Sequence, residues 1–142
     1  MDRQQTDAVT DRPVVSIAIA TYNRLAFLEQ AVEAVLQNAD LPFELIIWNN
    51  ASGEDTRQWL DSLEDDRIRV IHSDKNAGCS AYELAFRQSR GDWLVTMDDD
   101  VLRLPENFLS KMRAALQACP DLGYVALDVV RDDKTNGSKP EE

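Results

Sequence analysis

Three adjacent carboxylates, at Asp98, Asp99 and Asp100, are the side chains best suited to chemistry, and they follow an apolar run at residues 93–97. Adjacent carboxylates repel one another, so such a triplet is most stable where a cation or hydrogen-bond donors meet it. Oxygen ligands suit Mg²⁺ or Mn²⁺, and Mg²⁺ typically takes one or two carboxylates while phosphate and water complete its shell. The triplet therefore predicts a divalent ion and a phosphorylated ligand, most simply a diphosphate. A solvated acidic turn at the end of a strand is the alternative interpretation.

Other acidic and nucleotide-binding motifs match this sequence less well. In a calcium-binding EF-hand loop, the third ligand position would fall on Leu102, whose side chain cannot bind a metal. A phosphatase of the haloacid dehalogenase type carries its acidic pair after the first strand, whereas about two thirds of this chain precedes the triplet. The sequence contains no glycine-rich phosphate loop of the Walker or Rossmann type. It also offers no convincing Ser-His-Asp or Cys-His arrangement.

Apolar runs and helical patterns alternate along the chain. Strands are predicted at residues 14–20, 44–48, 68–72, 93–97 and 123–130. Helices are predicted at residues 25–37, around 59–63, at 81–89 with Gly91 as the C-terminal cap, and at 106–117. The alternation predicts a three-layer α/β/α fold with a mostly parallel sheet, in which strand 14–20 is central. The loops that follow the strands then meet at one edge of the sheet, where α/β proteins bind ligands.

Several side chains in these loops are candidates for binding. Arg24 could hold a phosphate through its guanidinium, or it could lie solvated in the first turn of a helix. Thr21 could line the pocket or cap that helix, and Tyr22 could stack on a nucleobase. His72, the single histidine, is interpreted as a structural residue outside the site, because no second His or Cys lies at metal-binding spacing.

Length and composition restrict the class of protein. The 142 residues suffice for one domain, predicted at 13–130, with a flexible leader at 1–12 and a polar tail or truncated end at 131–142. A net charge of −11 argues against nucleic acid as a partner. We expect no membrane span and a cytoplasmic protein, because the apolar runs fall well short of ~20 residues and the leader does not resemble a secretory signal. Cys79 and Cys119 are expected to be reduced and structural.

Four motifs together resemble the family 2 glycosyltransferases of the GT-A fold, and the resemblance covers roughly residues 14–130. They occur in the family's order and at about its spacing. The motifs are VSIAIATYNR at residues 15–24, NNAS at 49–52, NAG at 76–78 and GDWLVTMDDD at 91–100. As a set they are far more specific than the acidic triplet alone.

The resemblance implies a metal-dependent transfer of a sugar from a nucleoside-diphosphate sugar to a sugar, lipid or peptide acceptor, usually with inversion. It implies that Mn²⁺ or Mg²⁺ binds Asp98 and Asp100 and bridges the donor diphosphate. The residues implied to contact the nucleotide sugar are Ala20, Thr21, Tyr22, Arg24, Asn49, Asn76, Asp98 and Asp99. The carboxylate base that deprotonates the acceptor is expected beyond the end of this chain, so we expect no sugar transfer by these residues alone. Whether the protein forms an oligomer stays open.

This sequence departs from the family pattern at two places. Where the family commonly has Asp-Asp or Asp-Asn after the second strand, Asn49 and Asn50 supply amides that can accept a hydrogen bond but carry no charge. Where the family often has Ala-Arg-Asn, this chain has Ala81, Tyr82 and Glu83. These departures leave the sugar and the nucleobase of the donor open. A non-catalytic module that holds a nucleotide or nucleotide sugar is the alternative function.

Overall fold

A computed structural model describes residues 12–128. The chain divides into two compact units, with the boundary after Leu109. The first unit contains the sheet and three helices, and a fourth helix begins at its end. In chain order the elements are β1 (Val15–Thr21), α1 (Leu25–Asn38), β2 (Phe43–Asn50), α2 (Glu54–Asp61), β3 (Ile68–Ser73), α3 (Ser80–Phe86), β4 (Trp93–Asp98) and α4 (Phe108–Ala118).

The four strands form one parallel sheet in the order β3-β2-β1-β4. β1 lies inside the sheet, as its β-branched and nearly continuous apolar sequence predicts. β4 lies at the edge of the sheet within the described residues. Its burial alternates, and Leu94 is 51% exposed. Because all strands run in the same direction, the loops that follow them lie on a common edge, as predicted.

Both faces of β1 and β2 are buried. Ile17 and Ile19 have no exposed surface on one face, and Ala18 has none on the other, where it packs with Ala85 of α3. Trp48 of β2 packs against this same cluster. Burial on both faces requires helices on both sides of the sheet, and α1 carries a buried stripe that includes Leu28, Ala31, Val32 and Val35. The predicted α/β fold is therefore confirmed.

Two local predictions were wrong, and a third was right only in part. Residues 124–128 have no regular secondary structure, so the predicted strand at 123–130 does not form there, and its last two residues lie outside the described part of the chain. Gly91 does not cap α3, because that helix already ends at Phe86. Both cysteines are free, in agreement with the expected reduced state, but both are exposed, which does not fit the expected structural role.

Gly91 serves instead at a close approach between two chain segments. A Cβ atom at this position would lie 2.6 Å from the backbone nitrogen of Ser16. The Gly91 amide donates a hydrogen bond of 2.8 Å to the Ser16 hydroxyl. Glycine is therefore required where the chain enters β4 and passes beside β1. A capping signal and a packing signal look alike in a sequence, which explains the wrong prediction.

A buried carboxylate ties the amino ends of these strands together. Glu44 is 1% exposed, and its Oε1 accepts hydrogen bonds from the Ser16 hydroxyl (2.7 Å) and the Arg90 amide (2.6 Å). Its Oε2 accepts from Arg69 Nη1 and from Arg90 Nε, both at 3.0 Å. Burial by itself would raise the pKa of Glu44, but the bonds from Ser16, Arg90 and Arg69 together outweigh it and lower the pKa.

Every helix within residues 12–128 is too short or too polar to cross a lipid bilayer.

Candidate functional site

A row of polar side chains closes three neighbouring strands at the carboxyl edge of the sheet. Thr21 of β1 is in register with Asn49 of β2, and Asn49 is in register with His72 of β3. Residues in register on parallel strands point to the same face of a sheet. Thr21 and Asn49 are 2% and 1% exposed, so these side chains lie beneath the surface of this edge. We call the row formed by Thr21, Asn49 and His72 the floor of the site.

The middle carboxylate of the triplet turns inward onto this floor. Asp99 is 5% exposed, and its Oδ2 accepts a hydrogen bond of 2.8 Å from the Thr21 hydroxyl. Its Oδ1 accepts one of 3.0 Å from Arg24 Nη1. Burial raises the pKa of Asp99, and the charges of Asp100 and Asp98 act in the same direction, while Thr21 and Arg24 oppose the shift. Both oxygens of Asp99 thus accept hydrogen bonds from other residues of the protein. Its contact with a ligand stays a prediction.

Arg24 links the first loop to the triplet. It occupies the N-cap position of α1, where its carbonyl accepts the amides of Phe27 and Leu28 at 3.0 Å, so Thr21 does not cap this helix. Its guanidinium bridges Asp99 and Asp100, at 3.0 and 2.9 Å, and lies 5.1 Å from the centre of the Phe27 ring. The hydrogen bond to Asp100 and the charge of Asp99 raise the pKa of Arg24, so it stays charged. A shallow cleft of about 460 Å³ lies beside this arginine.

The two outer carboxylates of the triplet face solvent. Asp98 is exposed, and the side chain of Asp100 is 45% exposed. The Tyr82 hydroxyl lies 3.1 Å from Asp98 Oδ1 and 3.1 Å from the Met97 carbonyl oxygen, so its single proton has two acceptors. Burial, followed by the negative charge of Asp98, raises the pKa of Tyr82.

The donor set around the triplet suits a hard divalent cation only in part. No group of three or more His, Cys, Asp or Glu side chains within residues 12–128 is arranged to hold a metal ion. Two exposed carboxylates, Asp98 and Asp100, nevertheless match the one or two that Mg²⁺ takes when a diphosphate supplies the remaining oxygens. The residues present therefore fit an ion that binds together with a phosphorylated ligand.

The loops after β1 and β2 are joined by hydrogen bonds. The Asn23 amide donates to the Ser52 hydroxyl at 3.0 Å, and the Gly53 amide donates to Asn23 Oδ1 at 2.7 Å. Asn23 and Ala51 have φ values of 53° and 64°. These values lie in the left-handed region, which is unfavourable for most residues that have a Cβ atom. Such conformations persist only where the surroundings hold them in place.

Asn49 and Asn50 fix two further segments of the edge. The Ser52 amide donates to Asn49 Oδ1 at 2.9 Å, and Asn49 Nδ2 lies 2.9 Å from His72 Nδ1. Asn50 Oδ1 accepts the Ala77 amide at 2.7 Å, and Asn50 Nδ2 donates to the Gly78 carbonyl at 3.3 Å. The neutral amides at this departure from the family pattern therefore hold the loop after β2 and the loop after β3.

The structure brings some of the predicted site residues into direct contact and leaves others apart. Four of them form one connected cluster: Thr21, Arg24, Asp99 and Asp100. Ala20 pairs in register with Asp98, and Tyr22 is 49% exposed at the same edge. Asn76 Oδ1 accepts the Gly78 amide at 2.9 Å, which shapes its own loop.

Sequence reasoning missed several residues that hold this edge together: Asn23, Ser52, His72 and Tyr82. The first two lie inside recognised motifs, so their positions were a usable signal. Tyr82 occupies one of the two departures from the family pattern, and its contact with Asp98 gives that departure a structural role. His72 carried no local signal, because its bond to Asn49 depends on the register of β2 against β3.

Comparison with known proteins adds a family and two structural neighbours. The family model described as Glycosyl transferase family 2 matches residues 16–142. The putative colanic acid biosynthesis glycosyl transferase WcaA of Escherichia coli K12 is 32% identical over 93 residues, which cover 63% of this chain and 33% of that protein. The chain thus spans about a third of the length of this relative.

Two solved structures share the fold. One is the mannosyltransferase PcManGT from Pyrobaculum calidifontis in complex with GDP-Man and Mn²⁺, with a TM-score of 0.64 and 24% identity over 74% of this chain and 32% of that chain. The other is S. aureus TarS 1–349 in complex with UDP-GlcNAc, with a TM-score of 0.62 and 19% identity over 73% of this chain and 31% of that chain. At these identities the likeness concerns the fold alone.

Proposed function

Because the chain belongs to glycosyl transferase family 2, we propose that the carboxyl edge of its sheet binds a nucleoside-diphosphate sugar together with Mn²⁺ or Mg²⁺. The observation that carries this proposal is the convergence of Thr21, Arg24 and the acidic triplet at that edge. The titles of the two neighbouring structures support it, since they name GDP-Man with Mn²⁺ and UDP-GlcNAc as bound ligands of those proteins.

In this proposal each part of the edge has a separate task. Asp98 and Asp100 hold the ion, which supplies positive charge to the diphosphate leaving group. Asp99 stays on the floor of the site, where its bond to Arg24 orients the guanidinium beside Asp100. Tyr22 offers an exposed ring to the nucleobase, and Asn49 forms the floor beneath it. Ala20 and Asn76 lie in the segments around this edge and would contact the nucleotide sugar through backbone atoms.

The reaction of the whole protein is proposed as transfer of the donor sugar to a sugar, lipid or peptide acceptor, with inversion at the anomeric carbon. Inversion requires a base within hydrogen-bond reach of the acceptor hydroxyl. We assign that base to no residue between 12 and 128. A cytoplasmic location agrees with a nucleotide-sugar donor and is part of the same proposal.

Calorimetry with UDP, GDP and dTDP, and with their sugar derivatives, tests the donor site. Nucleoside diphosphate binding should weaken by at least about tenfold, or about 1.4 kcal/mol, when EDTA replaces Mn²⁺. Asp100→Asn should remove most of this ion dependence, because one of two carboxylate ligands is lost. Asp66→Asn, at an exposed aspartate in the turn before β3, is the matched control and should bind as the wild type does.

Two results would contradict the proposal. Equal nucleotide affinity with Mn²⁺ and with EDTA would remove the metal from the site. Failure of every nucleoside diphosphate and sugar derivative to bind would remove the donor site itself. Binding without transfer in the whole protein would instead support the alternative of a non-catalytic module.

A further inference from the structure

An unbroken series of hydrogen bonds runs along the floor of the site. Asp61 at the end of α2 lies 2.8 Å from His72 Nε2, and His72 Nδ1 lies 2.9 Å from Asn49 Nδ2. Asn49 Oδ1 accepts the Ser52 amide, and the Ser52 hydroxyl accepts the amide of Asn23 in the next loop. The series therefore joins α2, β3 and β2 to the loops after β2 and β1, which contain the left-handed residues Ala51 and Asn23.

The chemistry of the groups determines which nitrogen of His72 carries the proton. The Ser52 amide is a donor, so the atom of Asn49 that faces it must be the oxygen, and the NH₂ of Asn49 must face His72. His72 Nδ1 must then be the unprotonated acceptor, since a donor cannot bond to a donor. Nε2 consequently carries the hydrogen and donates it to Asp61. This is one tautomer of a neutral imidazole, oriented by a carboxylate.

We propose that His72 is a positioning residue of the donor site, which acts through Asn49 on the loops at residues 21–24 and 49–53. The inference rests on the proposed function of those loops. His72 holds the amide of Asn49 in one orientation, and that orientation presents Oδ1 to Ser52. Ser52 in turn holds Asn23, the residue beside Arg24. Without the acceptor at His72, Asn49 loses the partner that fixes its amide, and the loops lose their common support.

The neutral Asn49 and His72 form a matched pair. An aspartate at residue 49 would present oxygen atoms to both Ser52 and His72. Nδ1 of His72 would then have to carry a hydrogen, either by a change of tautomer or by formation of an imidazolium between two carboxylates. The departure of this chain from the acidic family pattern at residue 49 thus has its counterpart in His72.

Nitrogen-15 NMR tests the arrangement directly, because His72 is the single histidine of the chain. We expect Nδ1 to show the high-frequency shift of an unprotonated ring nitrogen and Nε2 the shift of an N–H nitrogen at neutral pH. In Asn49→Asp, the Nδ1 signal should move to the protonated position. A wild-type spectrum with a protonated Nδ1 would overturn the proposal, as would an Nδ1 signal unaffected by Asn49→Asp.

Substitutions of His72 test its effect on the loops and on ligand binding. His72→Leu should shift the amide resonances of Asn23, Ser52 and Gly53 and weaken Mn²⁺-nucleoside diphosphate binding by about fivefold to tenfold, the equivalent of one lost hydrogen bond. His72→Asn keeps an acceptor near the position of Nδ1 and should restore binding to within about twofold of the wild type. Gln58→Leu, an exposed polar-to-leucine change on α2, is the control for added apolar surface.

The outcomes separate this proposal from the proposed function. If the wild type binds no nucleoside diphosphate, the proposed function fails, while the ring-nitrogen shifts and loop amides still decide the role of His72. If the wild type binds but His72→Leu changes neither loop amides nor affinity, the positioning role is refuted and the donor site stands. Equal losses in His72→Leu and His72→Asn would refute the acceptor role of Nδ1.

Discussion

Replacement of Glu44 by alanine should destabilise the fold far more than replacement by glutamine. The two oxygens of this carboxylate serve different partners. Oε1 accepts two neutral donors, the Ser16 hydroxyl and the Arg90 amide, whereas Oε2 accepts the guanidinium groups of Arg69 and Arg90. Glutamine can keep an oxygen at the first position, but it places an NH₂ group against two cations at the second.

The burial of the partners sets the magnitude. Ser16 has no exposed surface, so its hydroxyl has no access to water when Glu44 is removed, at a cost of about 1–3 kcal/mol. The side chains of Arg69 and Arg90 are 34% and 54% exposed, so each can turn to solvent at little cost. Together with the lost packing and charge, Glu44→Ala should cost about 3–4 kcal/mol, and Glu44→Gln about 1–2 kcal/mol.

Urea unfolding followed by circular dichroism measures both variants. With a slope of about 2 kcal/mol per molar urea, Glu44→Ala should lower the midpoint by about 1.5–2 M. Glu83→Gln is the matched control, because its pair with Arg87 has side chains that are 66% and 70% exposed, and the change should stay within about 0.5 kcal/mol. A Glu44→Ala midpoint within error of the wild type would refute the reasoning. Equal losses in both variants would assign the energy to the charge rather than to the neutral bonds.

Acidification gives a second test of the same carboxylate. The folded protein holds the pKa of Glu44 below its ordinary value, so the ionised form favours folding. This contribution should be complete above the unfolded pKa of about 4.3 and should be lost as the pH falls through the lower folded pKa. The difference in unfolding free energy between the wild type and Glu44→Ala should therefore become smaller at acid pH, and the part that comes from packing and the Ser16 hydroxyl should stay. If this difference in unfolding free energy did not change as the pH fell below about 4.3, the assignment would be contradicted.

Three further variants test other parts of the structure. Gly91→Ala should destabilise the fold by about 1–3 kcal/mol in urea unfolding, because its Cβ would lie 2.6 Å from the Ser16 nitrogen, whereas Gly123→Ala meets nothing within 4 Å and should have little effect. Because burial raises the pKa of Asp99, the stability of Asp99→Asn relative to the wild type should increase as the pH rises from the unfolded pKa through the higher folded pKa, since only the wild type then gains a buried charge. A relative stability that does not change with pH would count against this. Arg24→Gln should strengthen Mn²⁺ binding without nucleotide by about twofold to fivefold in electron paramagnetic resonance titrations, since Arg24 competes for Asp100; unchanged affinity would show no competition.

The sequence by itself determined the fold class and predicted the edge of the sheet where the candidate site lies. β1 and β2 are buried on both faces, and their β-branched apolar runs contain that information locally. The alternation of strands and helices implies a parallel sheet, which puts the loops after the strands on one edge. The four motifs at residues 15–24, 49–52, 76–78 and 91–100 together predict the family, and the family match over residues 16–142 confirms it.

Only the tertiary structure decided what each polar residue at that edge contacts. Asp98, Asp99 and Asp100 are identical in type, yet the middle one is buried against Thr21, 78 positions away in the chain, while its neighbours face solvent. His72 meets Asn49 because of the register between two strands, and no local pattern encodes that register. Gly91 was interpreted as a helix cap because its close contact with β1 is likewise nonlocal. Periodicity and turn chemistry act over a few residues, whereas hydrogen-bond partners across a sheet are selected by the packing of the whole domain.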